Sequence, residues 1–142
     1  MGNILVIDDE RPIRRTLSEI LEFEKYKVDQ AEDGEEGLKM AQENEYDVIL
    51  CDIKMPKMDG LEVLDKLQDL KYDPAIVMIS GHGTIDTAVE ALKNGAFDYI
   101  KKNDELKTNL WKSLRLASNE LGFQNKITQL NKKISNKKGV EI

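Results

Sequence analysis

Val48-Ile49-Leu50-Cys51-Asp52 is the stretch that decides the fold. Four consecutive apolar residues, two of them β-branched, end in a single acid. A strand with one wet face alternates apolar and polar side chains, whereas a strand covered on both faces reads as an unbroken apolar run. This run therefore describes an inner strand of a parallel sheet with helices on either side. On either side of it, Ile4-Leu5-Val6-Ile7 and Ala75-Ile76-Val77-Met78-Ile79 have the same character, and weaker runs lie around Val28 to Ala31 and over Phe97 to Ile100.

The stretches between these runs carry helix punctuation. Pro12 suits a first helical turn, and Ile13, Leu17, Ile20 and Leu21 then share one face. Asp33 with Glu36 resembles a capping box ahead of Leu38 and Ala41. Asp59 precedes Leu61, Val63, Leu64 and Leu67, and Thr84 precedes Ile85, Ala88, Val89 and Leu92, with Gly95 placed to end that helix in a left-handed cap. Asn103 or Asp104 opens a longer helix through Leu106, Leu110, Leu114 and Ala117. The order βαβαβαβαβα predicts an α/β fold: a doubly wound, five-stranded parallel sheet of order 2-1-3-4-5, with helices on both faces and a C-terminal helical extension. Ligands of such sheets sit beyond the carboxyl ends of the strands, near the switch between strands one and three.

With 142 residues, 40% hydrophobic and 34% charged, the chain has the length and composition of one globular domain and not of a disordered segment. No apolar run approaches the ~20 residues needed to span a bilayer. The N-terminus runs straight into a strand, so no leader is expected. The lone Cys51 cannot form an internal disulfide, and a cytoplasmic location follows as the expectation. A net charge of −6 argues against a nucleic-acid footprint over the whole surface. The charge is uneven: Gln124 to Ile142 carries five lysines and one acid, a net +4, leaving −10 on the rest.

Asp8-Asp9-Glu10 follows strand one and Asp52 closes strand three, so this topology brings their carboxylates to one edge. Crowded carboxylates repel one another unless a cation is present. Oxygen ligands with waters completing the shell suit Mg²⁺, or Mn²⁺ in its place. The same cation would offset charge when a carboxylate attacks a phosphorus centre. Ser80 closes strand four and brings a hydroxyl, with Gly81 leaving room beside it. Lys101-Lys102 closes strand five and brings an ammonium. Any one acid at a strand end is as readily a solvated loop residue; the weight lies in the set.

In order, Val6-Ile7-Asp8-Asp9-Glu10, Asp52-Ile53-Lys54-Met55-Pro56 through Met58-Asp59-Gly60, Ser80-Gly81-His82-Gly83 and Gly95-Ala96-Phe97-Asp98-Tyr99-Ile100-Lys101-Lys102 resemble the CheY-like receiver domains of response regulators over roughly residues 3–121. Gly81-His82-Gly83-Thr84 and Gly95-Ala96-Phe97-Asp98-Tyr99 bring the likeness closer to the NtrC/NtrX type. The resemblance implies a phosphoacceptor in a two-component system. Asp52 would take the phosphoryl group from a sensor histidine kinase. Asp9 would bind the metal directly, Asp8 mainly through water, with Asp52 and the Lys54 carbonyl completing the shell. Ser80 and Lys102 would hold phosphoryl oxygens, and Tyr99 would turn inward when Ser80 moves. Lys54 and His82 are candidates for tuning dephosphorylation. The face of the fourth helix, fifth strand and fifth helix would switch, pair two copies as a homodimer and control an output domain, with DNA reached only through that domain. One position departs from the family: Asn103 stands where a proline, often after a cis bond, usually follows the lysine. That leaves either a trans, rearranged loop or a strained one.

Other readings attach to the same residues. An aspartyl-phosphate phosphatase of the haloacid-dehalogenase type needs a second acid two residues after its nucleophile, and Lys54 occupies that position here. A phosphate-independent scaffold is the third. Cys51 reads as a small buried hydrophobe, and Trp111 as partly exposed packing or a partner contact. The expected division is a receiver domain over 1–121 and a linker helix or coiled-coil extension over 122–142, cut ahead of an output domain. Its series Phe123, Ile127, Leu130 and Ile134, after Leu114, Ala117 and Leu121, has the spacing of a dimerising seam, with a register break at Gly122.

Overall fold

The computed structural model describes residues 2–81 and 83–118. Its elements are β1 (Asn3–Ile7), α1 (Arg11–Phe23), β2 (Lys27–Ala31), α2 (Gly34–Glu43), β3 (Val48–Asp52), α3 (Gly60–Leu67), β4 (Ala75–Ser80), α4 (Ile85–Lys93) and β5 (Asp98–Lys101). A helix over 106–118, α5, follows. The five strands are all parallel, in the order β2-β1-β3-β4-β5. The expected fold and strand order are both present.

The unbroken apolar runs have the predicted cause. Alternate residues of β1, β3 and β4 enter two separate cores. Leu5, Ile7, Ile49, Cys51, Ile76 and Met78 meet Ala41 of α2, Val63, Leu64 and Leu67 of α3, and Ala91 of α4. Ile4, Val6, Val48, Leu50, Val77 and Ile79 meet Leu17 and Leu21 of α1 and Leu110, Leu114 and Ala117 of α5. β2 is an edge strand with most of its residues exposed, which is why its run was weak. Leu114 and Ala117 are buried on the domain's own sheet, so they are not available to a seam between two copies. The remainder of that series, from Leu121 to Ile134, lies outside the described residues, as does the proposed boundary at 121. Trp111 is half-buried against the α1/α5 core.

Helix starts agree with the sequence. The side chains of Asp33, Asp59 and Thr84 accept from the backbone N–H groups of Glu36, Glu62 and Thr87. Pro12 lies in the first turn of α1, and Gly95 takes φ +108° just beyond α4.

Candidate functional site

Four strand ends build the site. β1 ends at Ile7, opposite Cys51 of β3, so Asp8 and Asp52 follow on adjacent strands. Both carboxylates are buried, with Asp8 at 2% and Asp52 at 4% exposure. The Asp8 backbone N–H donates to Ala31 O, and Asp8 Oδ1 accepts from the N–H of Glu10. Arg14 reaches back from α1 to donate to the Asp8 carbonyl at 2.8 Å. Beneath Asp52, the Ile53 N–H donates to Ile79 O, and the Gly60 N–H donates to Ile53 O at 2.6 Å. A Cβ on Gly60 would run into the Asp52 carbonyl and the Ile53 Cα, so only glycine lets α3 start this close to β3.

Ser80, the last residue of β4, is buried. Its carbonyl accepts from the Lys102 N–H at 2.9 Å, which extends the β4–β5 ladder by one step and aims Lys102 across the edge. The Lys102 ammonium lies 2.8 Å from Asp8 Oδ2, 3.1 Å from Asp52 Oδ1 and 3.5 Å from Glu10 Oε1. Asn103 therefore does not displace the lysine. No peptide bond is cis among the described residues, so the loop is the trans, rearranged alternative. Its turn closes through a group that proline lacks: the Asn103 N–H donates to Lys101 O at 3.0 Å, while Asn103 Oδ1 accepts from the Glu105 N–H.

Burial, and then the charge of Asp8, push the Asp52 carboxyl up to about 6, against the opposing pull of Lys102. For Lys102, burial lowers the pKa, but the Asp8 hydrogen bond and the charges of Asp52 and Asp8 outweigh it and the net shift is upward. Asp8, Asp9, Glu10 and Asp52 each offer a carboxylate oxygen, all within 4.8 Å of one another. A hard, all-oxygen donor set beside a single ammonium fits Mg²⁺ or Mn²⁺ and does not fit a thiophilic metal. Glu10 belongs to this cluster, although the expected metal set held only Asp8, Asp9, Asp52 and the Lys54 carbonyl. The Lys54 side chain is exposed in the loop after β3. His82 lies outside the described residues.

The Tyr99 hydroxyl is buried, has no hydrogen-bond partner among the described residues, and occupies the space that a Cβ on Gly83 would take. Beside it, a cavity of about 350 Å³ opens between α4 and β5, lined by Thr84, Ile85, Ala88, Tyr99, Asn103 and Asn109 among others. Cys51 is fully buried, and burial drives its thiol pKa upward, as suits a core hydrophobe.

This sheet order with an acid-lined carboxyl edge defines the class of CheY-like α/β domains. Residues 4–111 match the response regulator receiver domain, and the chain belongs to that family, the receiver module of two-component response regulators. It is 42% identical over 101 residues to the transcriptional regulatory protein SrrA of Staphylococcus aureus, covering 71% of this chain. The chain spans 42% of SrrA's length. A response regulator receiver domain from Clostridium thermocellum superposes with a TM-score of 0.81 at 33% identity, covering 87% of this chain and 99% of that one. NtrX from Brucella abortus, crystallised with ATP, aligns with a TM-score of 0.77 at 31% identity, covering 91% of this chain and 29% of that protein.

Proposed function

We propose that this domain accepts a phosphoryl group on Asp52 from the phosphohistidine of a sensor kinase. The observation that carries this reading is a buried Asp52 carboxylate at the end of β3, 3.1 Å from Lys102 and within 4.8 Å of the other acids. An Asp52 oxygen attacks phosphorus, the phosphorus–nitrogen bond breaks, and the imidazole leaves with the electron pair and takes up a proton. Asp8, Asp9, Asp52 and the Lys54 carbonyl would hold Mg²⁺, which when bound supplies charge neutralisation at the phosphoryl oxygens. Lys102 pairs with one of those oxygens and leaves its bond to Asp52 as the charge moves outward. Ser80 donates its hydroxyl to another. A phosphatase is disfavoured because exposed Lys54 replaces the acid that would protonate a leaving group.

The readout face is α4, β5 and α5. Ile85, Val89 and Leu92 on α4 and Leu116 on α5 are exposed apolar residues, and Tyr99 on β5 sits opposite Met78, two residues before Ser80 on β4. Phosphorylation would change how this face pairs with a second copy or with an output domain, which in SrrA-like proteins would be transcriptional. A cytoplasmic location accords with this role, and among the described residues no helix is long and apolar enough to cross a membrane.

The test is phosphorylation by a small phosphodonor with Mg²⁺, followed by intact-chain mass. The native chain gains one phosphoryl group and Asp52→Asn, nearly isosteric, gains none while keeping its fold. An unchanged phosphorylated fraction in that variant would sink the assignment.

A further inference from the structure

α2, α3 and α4 are each capped by the side chain of their N-cap residue, but α1 is not: its N-cap, Glu10, makes no side-chain cap bond. The shorter acid Asp at an N-cap turns toward its own helix, where it accepts from an unpaired N–H. Glu10 turns the other way, placing Oε1 3.5 Å from the Lys102 ammonium. Lys102 thus touches three carboxylates of unequal character. Asp8 and Asp52 are buried, whereas the Glu10 side chain is 61% exposed and reaches the ammonium from the solvent side.

All three of these acids, with Asp9, belong to the group that could hold a divalent cation, and Asp8 and Asp52 are its buried members. An ammonium and a divalent cation held on the same two buried carboxylates repel each other at short range. Glu10, the exposed side chain of the three that touch Lys102, can hold the ammonium from the solvent side while the two buried carboxylates serve the cation. We propose that Glu10 is a positioning residue for Lys102: it anchors the ammonium at the rim, so that Lys102 yields Asp8 and Asp52 to the cation without losing its last carboxylate. Glu10 acts through the lysine and not as a metal ligand. This inference rests on the Mg²⁺ site proposed above.

Calorimetric titration of the full chain with Mg²⁺ tests it. Glu10→Gln lowers Mg²⁺ affinity about fourfold, the scale of one partly exposed ion pair. Lys102→Gln raises affinity by removing the competing charge. Adding Glu10→Gln in that background changes affinity by less than about 1.5-fold, because no ammonium remains to be anchored. Glu10→Asp keeps the charge, but its shorter carboxylate turns to cap α1, so it weakens Mg²⁺ binding as Glu10→Gln does. This arm needs no change at Lys102. Equal losses from Glu10→Gln in both backgrounds would mean that Glu10 acts on the cation directly, and they overturn the assignment. So does native-like affinity in either single Glu10 variant. Asp9→Asn separates the two levels. If native chain and Asp9→Asn bind Mg²⁺ alike, or neither binds, the metal reading falls and takes the inference with it. If Asp9→Asn alone abolishes binding and the Glu10 cycle fails, only the Glu10 assignment is lost.

Discussion

Single residues in this domain owe their positions to backbone contacts, and that decides which were readable in advance. Asp52 and Asp8 were legible because each ends or follows an apolar run, and strand ends converge in a doubly wound sheet. Lys102 was legible by the same logic, and its N–H bond to Ser80 O fixes it without proline at 103. The pairing of Lys102 with Glu10 was not legible, because it depends on two flexible side chains meeting across the edge from β1 to β5. The same holds for Arg14, which an amphipathic reading leaves as an exposed polar residue of α1 although it donates to the Asp8 carbonyl. Gly83 is a third case: it is the socket for the Tyr99 hydroxyl. Gly83→Ala fills that socket and drives Tyr99 outward, which relieves a buried hydroxyl lacking a partner. Chemical nitration mapped by peptide mass spectrometry should rise at Tyr99 in this variant; unchanged labelling there would contradict the socket.

At the scale of elements, two turns carry the site. The β3–α3 connection is held against Asp52 by the Gly60 N–H bond to Ile53 O. A methyl group at Gly60 meets backbone atoms, which yield less readily than a side chain. Gly60→Ala should therefore cost ~1–3 kcal/mol, the range for overpacking, and displace Asp52. Urea unfolding measures the first and Mg²⁺ titration the second; a loss below ~0.5 kcal/mol with native affinity would refute the close approach. The β5–α5 turn is the element where the family's proline is replaced. Asn103→Ala removes the acceptor for the Glu105 N–H and should cost about 1 kcal/mol, as lost caps do. Mg²⁺ affinity should stay within experimental error, since the Lys102 N–H bond to Ser80 remains. A large loss of affinity would show that the Asn103 side chain, and not the ladder, aims the lysine. The helix caps at Asp33, Asp59 and Thr84 were readable because capping is local in sequence. β2 was faint because an edge strand buries little.

For the molecule as a whole, two cores on one sheet set a rigid edge that presents the acids, the hydroxyl and the ammonium together. Burial of Leu114 and Ala117 within the domain confines any dimerising seam to residues beyond them and to the exposed apolar positions of α4 and α5. Truncation after Leu121 should lower dimer affinity in analytical ultracentrifugation and leave Asp52 phosphorylation intact. A native chain that stays monomeric at high concentration, phosphorylated or not, would rule out the seam. The fold was legible throughout the described residues because strand burial is written as continuous hydrophobicity. The exposure of Ile85, Val89 and Leu92 was not legible, since their helical spacing reads equally as a core-facing stripe. Phosphoryl transfer to Asp52 makes one acyl phosphate bond, and reductive mapping locates that bond. Borohydride reduction of the phosphorylated chain converts an aspartyl phosphate to homoserine, and peptide sequencing locates it. Homoserine should appear at position 52 and nowhere else; homoserine at position 8 or 9, or none after verified phosphorylation, would contradict phosphoryl transfer to Asp52.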